Sequence, residues 1–381
     1  MEENKKNKIP NVPNLRFCSA TYYPYKIKQI CDVISGGTPD TTNPRYWDGN
    51  INWFTPTEVG KTKYVEESLR KISQFGYDNS GAKLLKPGSI LLSTRATIGE
   101  ASICKKDCCT NQGFQSLTNF KCVNEFLYYY LQSHRLHKSL MRRANGSTFL
   151  EISNYEVGST ILYMSDLKVQ QQIASFLSKI DRRIETQNKI IERYESLINP
   201  ITEKLVKDFK CNQYRLKDIS QIKKGEQIGS KLLSCEGTYP MLNGGISFSG
   251  NYIHFNREKD TIAISEGGNS CGYVSFVEKE FWAGGHCYTI HPKRNNPDFN
   301  CCLYFVLKRQ EKKIMALRVG SGLPNIQKKD LENLLIDFPA STYVSKFNAV
   351  LRSINAKMKI EKEILSKLVL LKQYLLANMF I

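Results

Sequence analysis

The side chains best suited to bonding a polyanion fall in short polar runs between apolar ones. Arg95 stands among Ser93, Thr94 and Thr97, just past the strand-like run Ser89–Ser93. A guanidinium so placed can bridge guanine O6 and N7 or clamp a phosphate oxygen, and residue type alone leaves both open. Gln112 carries the donor–acceptor pair that fits adenine N6 and N7, or equally that of a buried structural amide. The loop Ser35, Gly36, Gly37, Thr38 and Pro39 offers backbone N–H groups and hydroxyls to a phosphate, unless its glycines serve only to make the turn. Arg142 and Arg143 precede Gly146-Ser147-Thr148 and suit phosphate. In the second half the contact candidates are Lys223, Lys224, Asn243, Asn269, His286 and Arg318. Tyr46, Trp47 and Trp53 read as core or platform residues, because a duplex leaves few bases free to stack.

No catalytic constellation accompanies these residues. Gly60-Lys61-Thr62 imitates a phosphate loop, but Thr55 stands where its first glycine is required. There is no Asn/Asp-Pro-Pro-aromatic motif, no dinucleotide fingerprint and no HExxH. The cysteines cluster as Cys104, Cys108, Cys109 and as Cys301, Cys302, without a CxxC pair, and His134 and His137 are the histidines nearest the first cluster. That spacing supplies no tetrahedral zinc set and reads as reduced thiols of a cytosolic protein, so no metal and no cofactor are expected. His286, between Gly285 and Cys287, has no partner cluster and reads as structural or as a polar contact. Met1–Arg16 is polar, and no run approaches the apolar length of a membrane span. The expected location is cytoplasmic.

The elements that must position these groups are legible from apolar spacing. Steps of four and three give Ile173, Leu177, Ile180, Ile184, Gln187, Ile191, Tyr194, Ile198, Ile201 and Leu205, a heptad stripe on a helix of roughly 40 residues and on the order of 60 Å. Pro200 lies within it and removes one hydrogen bond. The same steps recur as Phe347, Leu351, Ile354, Met358, Glu361, Leu365, Leu368, Lys372, Leu375 and Met379. Each lies 174 residues after its counterpart, and the polar interruption falls in the same layer, Gln187 against Glu361. Two such helices most simply pack on each other as an antiparallel coiled coil; pairing of the second with another protomer is the alternative.

The repeat reaches beyond the helices. Ser147 and Ser321 also differ by 174, Leu127–Leu131 is echoed by Leu303–Leu307, and the strand-like runs Ser89–Ser93 and Thr261–Ser265 correspond. The expected fold class is α/β (α+β): two domains separated by a long central helix, with a second long helix at the C-terminus. The expected boundaries are a tail at 1–20, a first domain at 21–166, a central helix at 167–208, a second domain at 213–339 and a C-terminal helix at 342–381. A length of 381 residues accommodates two such cores. The net charge of +18 and pI near 9.3 attract polyanions in a salt-dependent way, without separating DNA from RNA or from an acidic protein.

At this level the chain resembles the specificity subunit (HsdS) of type I restriction–modification systems. The likeness rests on Ser35-Gly36-Gly37-Thr38-Pro39, Asn43-Pro44-Arg45-Tyr46-Trp47, Ile51-Asn52-Trp53, Thr55-Pro56, the run Gly88–Gly99 and Asn111-Gln112-Gly113. It continues through Gln170-Gln171-Gln172-Ile173-Ala174, Phe176-Leu177 and Ile180-Asp181. In the second half it is carried by Lys224-Gly225, Asn243-Gly244-Gly245, Phe281-Trp282-Ala283-Gly284 and Gly322-Leu323-Pro324-Asn325-Ile326. The resemblance implies two target recognition domains that read a split double-stranded DNA target, one short sequence each, across a spacer of set length. It implies two modification methyltransferase (M) subunits docked around the helices and restriction translocase/endonuclease (R) subunits joining them. Methylation and ATP-driven cleavage would belong to those partners. The competing expectation is a non-catalytic scaffold whose duplicated domains bind proteins.

Overall fold

The computed structural model describes residues 15, 20–146, 150–209, 211–233, 237–294, 296–320, 322 and 324–380. Ser147, Thr148, Ser321, Leu323, the side chain of Leu205 and the 1–20 tail, apart from residues 15 and 20, lie outside the described residues. The fold is α+β, with mixed sheets and two long helices, and divides into two compact units, Met1–Thr186 with Leu365–Ile381 and Gln187–Ile364.

Apolar, β-branched runs make the central strands. In the first unit Ile90–Leu92 is wholly buried, and its sheet runs in the order Asp32–Ser35, Gln115–Thr118, Ile90–Leu92, Ala101–Cys104, Tyr64–Val65. A three-stranded sheet sets Trp47–Phe54 between Arg70–Ile72, antiparallel, and Cys108–Thr110, parallel. Tyr23–Lys26 pairs with Ile161–Met164. In the second unit Thr261–Ser265 is buried at every position, in the order Ser220–Lys224, Cys287–Pro292, Thr261–Ser265, Val274–Val277. Tyr239–Leu242 again lies between an antiparallel strand, Gly250–Tyr252, and a parallel one, Trp282–Ala283. Cys211–Arg215 pairs with Leu335–Pro339. Strand order and sense therefore agree between the units, apart from the edge strand Tyr64–Val65.

The helices run Leu167–Asp208, continuous through Pro200, and Ser341–Asn378. Every described position of both stripes is buried or half-buried. In the first unit Ile173, Leu177 and Ile180 share a core with Leu375 and Met379, and Ile184 packs against it. Ile191 is buried, while Tyr194, Ile198, Met358, Leu365 and Leu368 are half-buried. In the second unit Ile201 and Ile354 pack on the core that contains Phe347 and Leu351. There the Gln187 amide donates to the Glu361 carbonyl oxygen at 3.1 Å and to its carboxylate.

The stripe ends on a residue outside the heptad pattern. Phe380 is 3% exposed, with its ring 5.4 Å from Phe126 and 4.9 Å from Tyr130. Its ring fills an aromatic pocket in the first unit's core. Phe380→Ala is expected to destabilise the first unit by about 3 kcal/mol, the cost of an aromatic cavity. Urea unfolding measures it, and a loss under about 1 kcal/mol would show that the pocket collapses or was never filled.

Candidate nucleic-acid interface

The sheet places Ser35 and Arg95 at the same end of three adjacent strands. Ser35 closes Asp32–Ser35 and pairs with Gln115, which opens its neighbour, while Ser93 continues Ile90–Leu92 and bridges Phe114. Arg95 emerges two residues later. It is half exposed, and its Nη2 lies 2.6 Å from Glu151 Oε2 across a backbone bridge between the same two residues. One nitrogen of the guanidinium is thus held by the carboxylate. Arg95, Thr97, His137, Met141 and Glu151 line a cleft of about 940 Å³. Ala96 turns the chain with φ of +58°, a left-handed conformation costing roughly 1–2 kcal/mol for a non-glycine residue. In the second unit Gly268 makes the equivalent turn at +73°.

Gln112 is exposed, not buried, and its Oε1 accepts from the Thr38 hydroxyl. The glycine loop corrects the phosphate expectation. Gly37 N–H donates to the Thr110 carbonyl at 2.8 Å and Gly36 N–H to that of Phe114 at 3.4 Å, so neither amide is free for an anion. Their role is close approach, since a Cβ on Gly36 would stand 1.9 Å from the Asn111 oxygen. Buried Trp53 donates to the Gly37 carbonyl at 2.9 Å and meets Trp47 edge-on in one core cluster, which places both indoles in the core. The Ser35 hydroxyl donates to Gln115 at 2.8 Å. Thr97 is likewise committed internally, donating to Pro56 O at 3.2 Å or to Ser93 at 3.1 Å.

Arg142 and Arg143 part company on helix His134–Arg143. Leu136 and Leu140 bury one face, Arg143 turns back to Glu156 at 2.8 Å, and Arg142 stays exposed. Arg142 shares a basic hollow of about 550 Å³ with Arg135 and Lys138. Those two were missed in sequence, although Arg135, Lys138 and Arg142 repeat at the three-and-four spacing of one helix face.

In the second unit the matching sheet end gathers Lys224, at the close of Ser220–Lys224, with His286 and Glu266 flanking its neighbours. Glu266 is 8% exposed; its Oε1 accepts from Lys224 Nζ at 2.7 Å and from Tyr288 OH at 3.0 Å. Exposed His286 stands 3.9 Å from the other carboxylate oxygen, and its N–H donates to Asn243 Oδ1 at 3.1 Å. Half-buried Asn243 therefore braces the His286 backbone through its Oδ1. Lys223, Asn269 and Arg318 are exposed. Nothing in the sequence marked Glu266 beyond its place before two glycines.

Behind this end, Arg257 Nε donates to the Thr289 hydroxyl at 2.8 Å, and that hydroxyl lies 2.9 Å from His291 Nε2. The same hydroxyl also reaches the Lys223 carbonyl at 3.3 Å, so Thr289 is shared among Arg257, Lys223 and His291. Burial, then the charges of Lys223 and Arg257, push His291 down to about 4. Unfolded, the ring takes its proton near pH 6.5, so between about 6.5 and 4 the unfolded chain binds more protons and stability falls as pH falls. His291→Gln, which keeps an acceptor, is expected to flatten about 1–2 kcal/mol of that slope, discounted for partial solvent access. Unfolding curves at stepped pH provide the measurement; an unchanged slope would assign it to other groups.

Among the described residues no group of three or more His, Cys, Asp or Glu side chains is placed to hold a metal ion. Burial pushes the Cys109 and Cys287 thiols up to about 12, which keeps them unreactive. No helix among the described residues is long and apolar enough to cross a membrane.

The model of the type I restriction modification DNA specificity domain matches this chain twice, at residues 20–195 and 209–370. The chain belongs to that family. It is 26% identical over 374 residues to the type I restriction enzyme MjaIX specificity subunit of Methanocaldococcus jannaschii, covering 87% of this chain and 86% of that one. It is 32% identical over 111 residues to the EcoprrI specificity subunit of Escherichia coli, 27% of each chain. The crystal structure of the S subunit of a type I restriction–modification system from M. genitalium superposes with a TM-score of 0.63 at 20% identity, over 97% of this chain and 99% of that one, which shows a shared fold. As a specificity-family member the chain is a non-catalytic component with a DNA-specificity role in a type I restriction–modification system.

Proposed function

We propose that this chain reads a two-part double-stranded DNA target, one half-site per domain, and directs partner subunits to it. The observation that carries the reading is the repeated topology: the same strand order, with a polar, basic sheet end in each unit, in a chain that matches one DNA-specificity model twice. Residues 21–166 and 213–339 would be the recognition domains, duplicated from one ancestor. Residues 167–208 and 342–381 would form an antiparallel coiled coil, a reading supported by the Gln187–Glu361 pair. Arg95 and Gln112 would read bases in the first domain, with Arg142 on phosphate. Lys223, Lys224, Asn269, His286 and Arg318 would contact DNA in the second. Two methyltransferase subunits would dock on the helices, and restriction subunits would supply ATP-driven cleavage. Base-resolution mapping of methylation by the complete complex tests this. A motif of two short sequences separated by a constant unspecified gap is expected, and a single undivided motif would sink the reading.

A further inference from the structure

Lys63 is a buried cation that the DNA-facing end of the first unit leaves unused. Its side chain is 9% exposed, and its ammonium lies 3.0 Å from Glu125 Oε2, 3.2 Å from Tyr129 OH and 3.2 Å from Ser178 Oγ. Three donor hydrogens thus meet three acceptors, beside the ring of Tyr129 at 4.7 Å. Tyr129 OH in turn donates to Asp181 Oδ2 at 2.7 Å, and Asp181 Oδ1 pairs with Lys372 Nζ at 2.7 Å. The second Glu125 oxygen accepts from Tyr64 OH. One polar chain, with two cations balanced by two carboxylates, therefore joins a sheet edge and helix Asn124–Leu131 to the first long helix and on to the second.

Around it the contact between the globular part and the helices is largely apolar, with Phe126 and Tyr130 on Phe380 in one core with Ile173 and Leu177, although near the start of the first helix Gln170 Oε1 also accepts from the Val123 N–H at 3.0 Å. Apolar burial is non-directional and accommodates a small rotation or slip. Hydrogen bonds weaken steeply with misalignment and do not. Buried ionic groups seldom add net stability, because desolvation offsets attraction, and fixing one arrangement is a use that suits them. In the second unit the residue echoing Tyr129 is Phe305, which has no hydroxyl, and Arg352 meets Asp298 only where both are exposed.

We propose that Lys63, Tyr129 and Asp181 are positioning residues that clamp the first recognition domain at one angle on the helices, so that the complex accepts one spacer length. This rests on the two-part target proposed above. Complete complexes carrying Tyr129→Phe or Asp181→Asn would be assayed for methylation of DNA with the mapped spacer and with one base pair more or fewer. The preference for the correct spacer is expected to fall about tenfold, matching the loss of roughly one hydrogen bond to a charged group, while the half-site sequences stay the same. Lys372→Gln, which breaks the chain from its outer end, should act in the same direction and serves if Tyr129→Phe folds poorly. Arg352→Met in the second unit should leave the preference unchanged. Folded Tyr129→Phe and Lys372→Gln complexes with full spacer preference would overturn the clamp and leave the two-part target standing. An undivided target in the unaltered complex would overturn both.

Discussion

A four-residue turn inserted into the first long helix after Gln187 is expected to abolish methylation of the original target and create activity on one with a longer spacer. Four α-helical residues add about 6 Å and advance the helix by roughly 40° beyond a full turn. B-DNA rises about 3.4 Å and turns roughly 35° per base pair, so one added pair matches the rotation and two match the rise. The new spacer should therefore be longer by one or two base pairs. Activity on the old one should drop more than about 100-fold, because a misplaced half-site loses several base pairs at about 1–3 kcal/mol each. The half-sites themselves should not change, since Arg95, Gln112, Lys224 and His286 all lie outside the helix. A four-residue step also keeps the apolar face towards its packing partners, so folding should survive. Methylation mapping of the insertion complex decides the matter. New half-sites with the old spacer would show that the helix is not the ruler.

Legibility followed the range of the physics involved. The helices were visible because a 3.5-residue stripe reports burial directly, and Gln187 and Glu361, singled out as the polar layer, bond to each other. Ile90–Leu92 and Thr261–Ser265 were visible because strands buried on both faces read as continuous apolar runs. Pairing order was not, because partners such as Ser35 and Gln115 lie far apart in the chain. The site divided in the same way. That Arg95 is a polar group beyond a strand end could be read from its neighbours, whereas the exposure of Gln112 came only with the fold. That Gly36 and Gly37 have no free amides depends on Phe114 and Thr110, which come alongside only in the fold. Glu266, and the chain from Lys63 to Lys372, were invisible for the same reason: a buried charge reads in sequence like a surface one until its partners are known.

Arg95→Ala is expected to weaken binding of the complete complex by about 10–100-fold and to relax the half-site at one base pair, with little change in salt dependence. A phosphate contact would behave otherwise, weakening all sequences alike and lowering the salt slope by about one. The reading role is favoured by how Arg95 is held. Glu151 grips one guanidinium nitrogen at 2.6 Å, and a backbone bridge fixes both residues beside the strained turn at Ala96. A clamp on phosphate gains little from such bracing, whereas bidentate recognition of guanine needs a guanidinium already oriented. Pairing with a carboxylate also lowers the local positive charge, which disfavours a purely electrostatic contact. Glu151→Gln separates the two roles. It leaves Arg95 charged but less firmly held, so a base reader should lose discrimination at that position while a phosphate clamp should bind more tightly. Tighter, equally selective binding by Glu151→Gln would return Arg95 to the backbone.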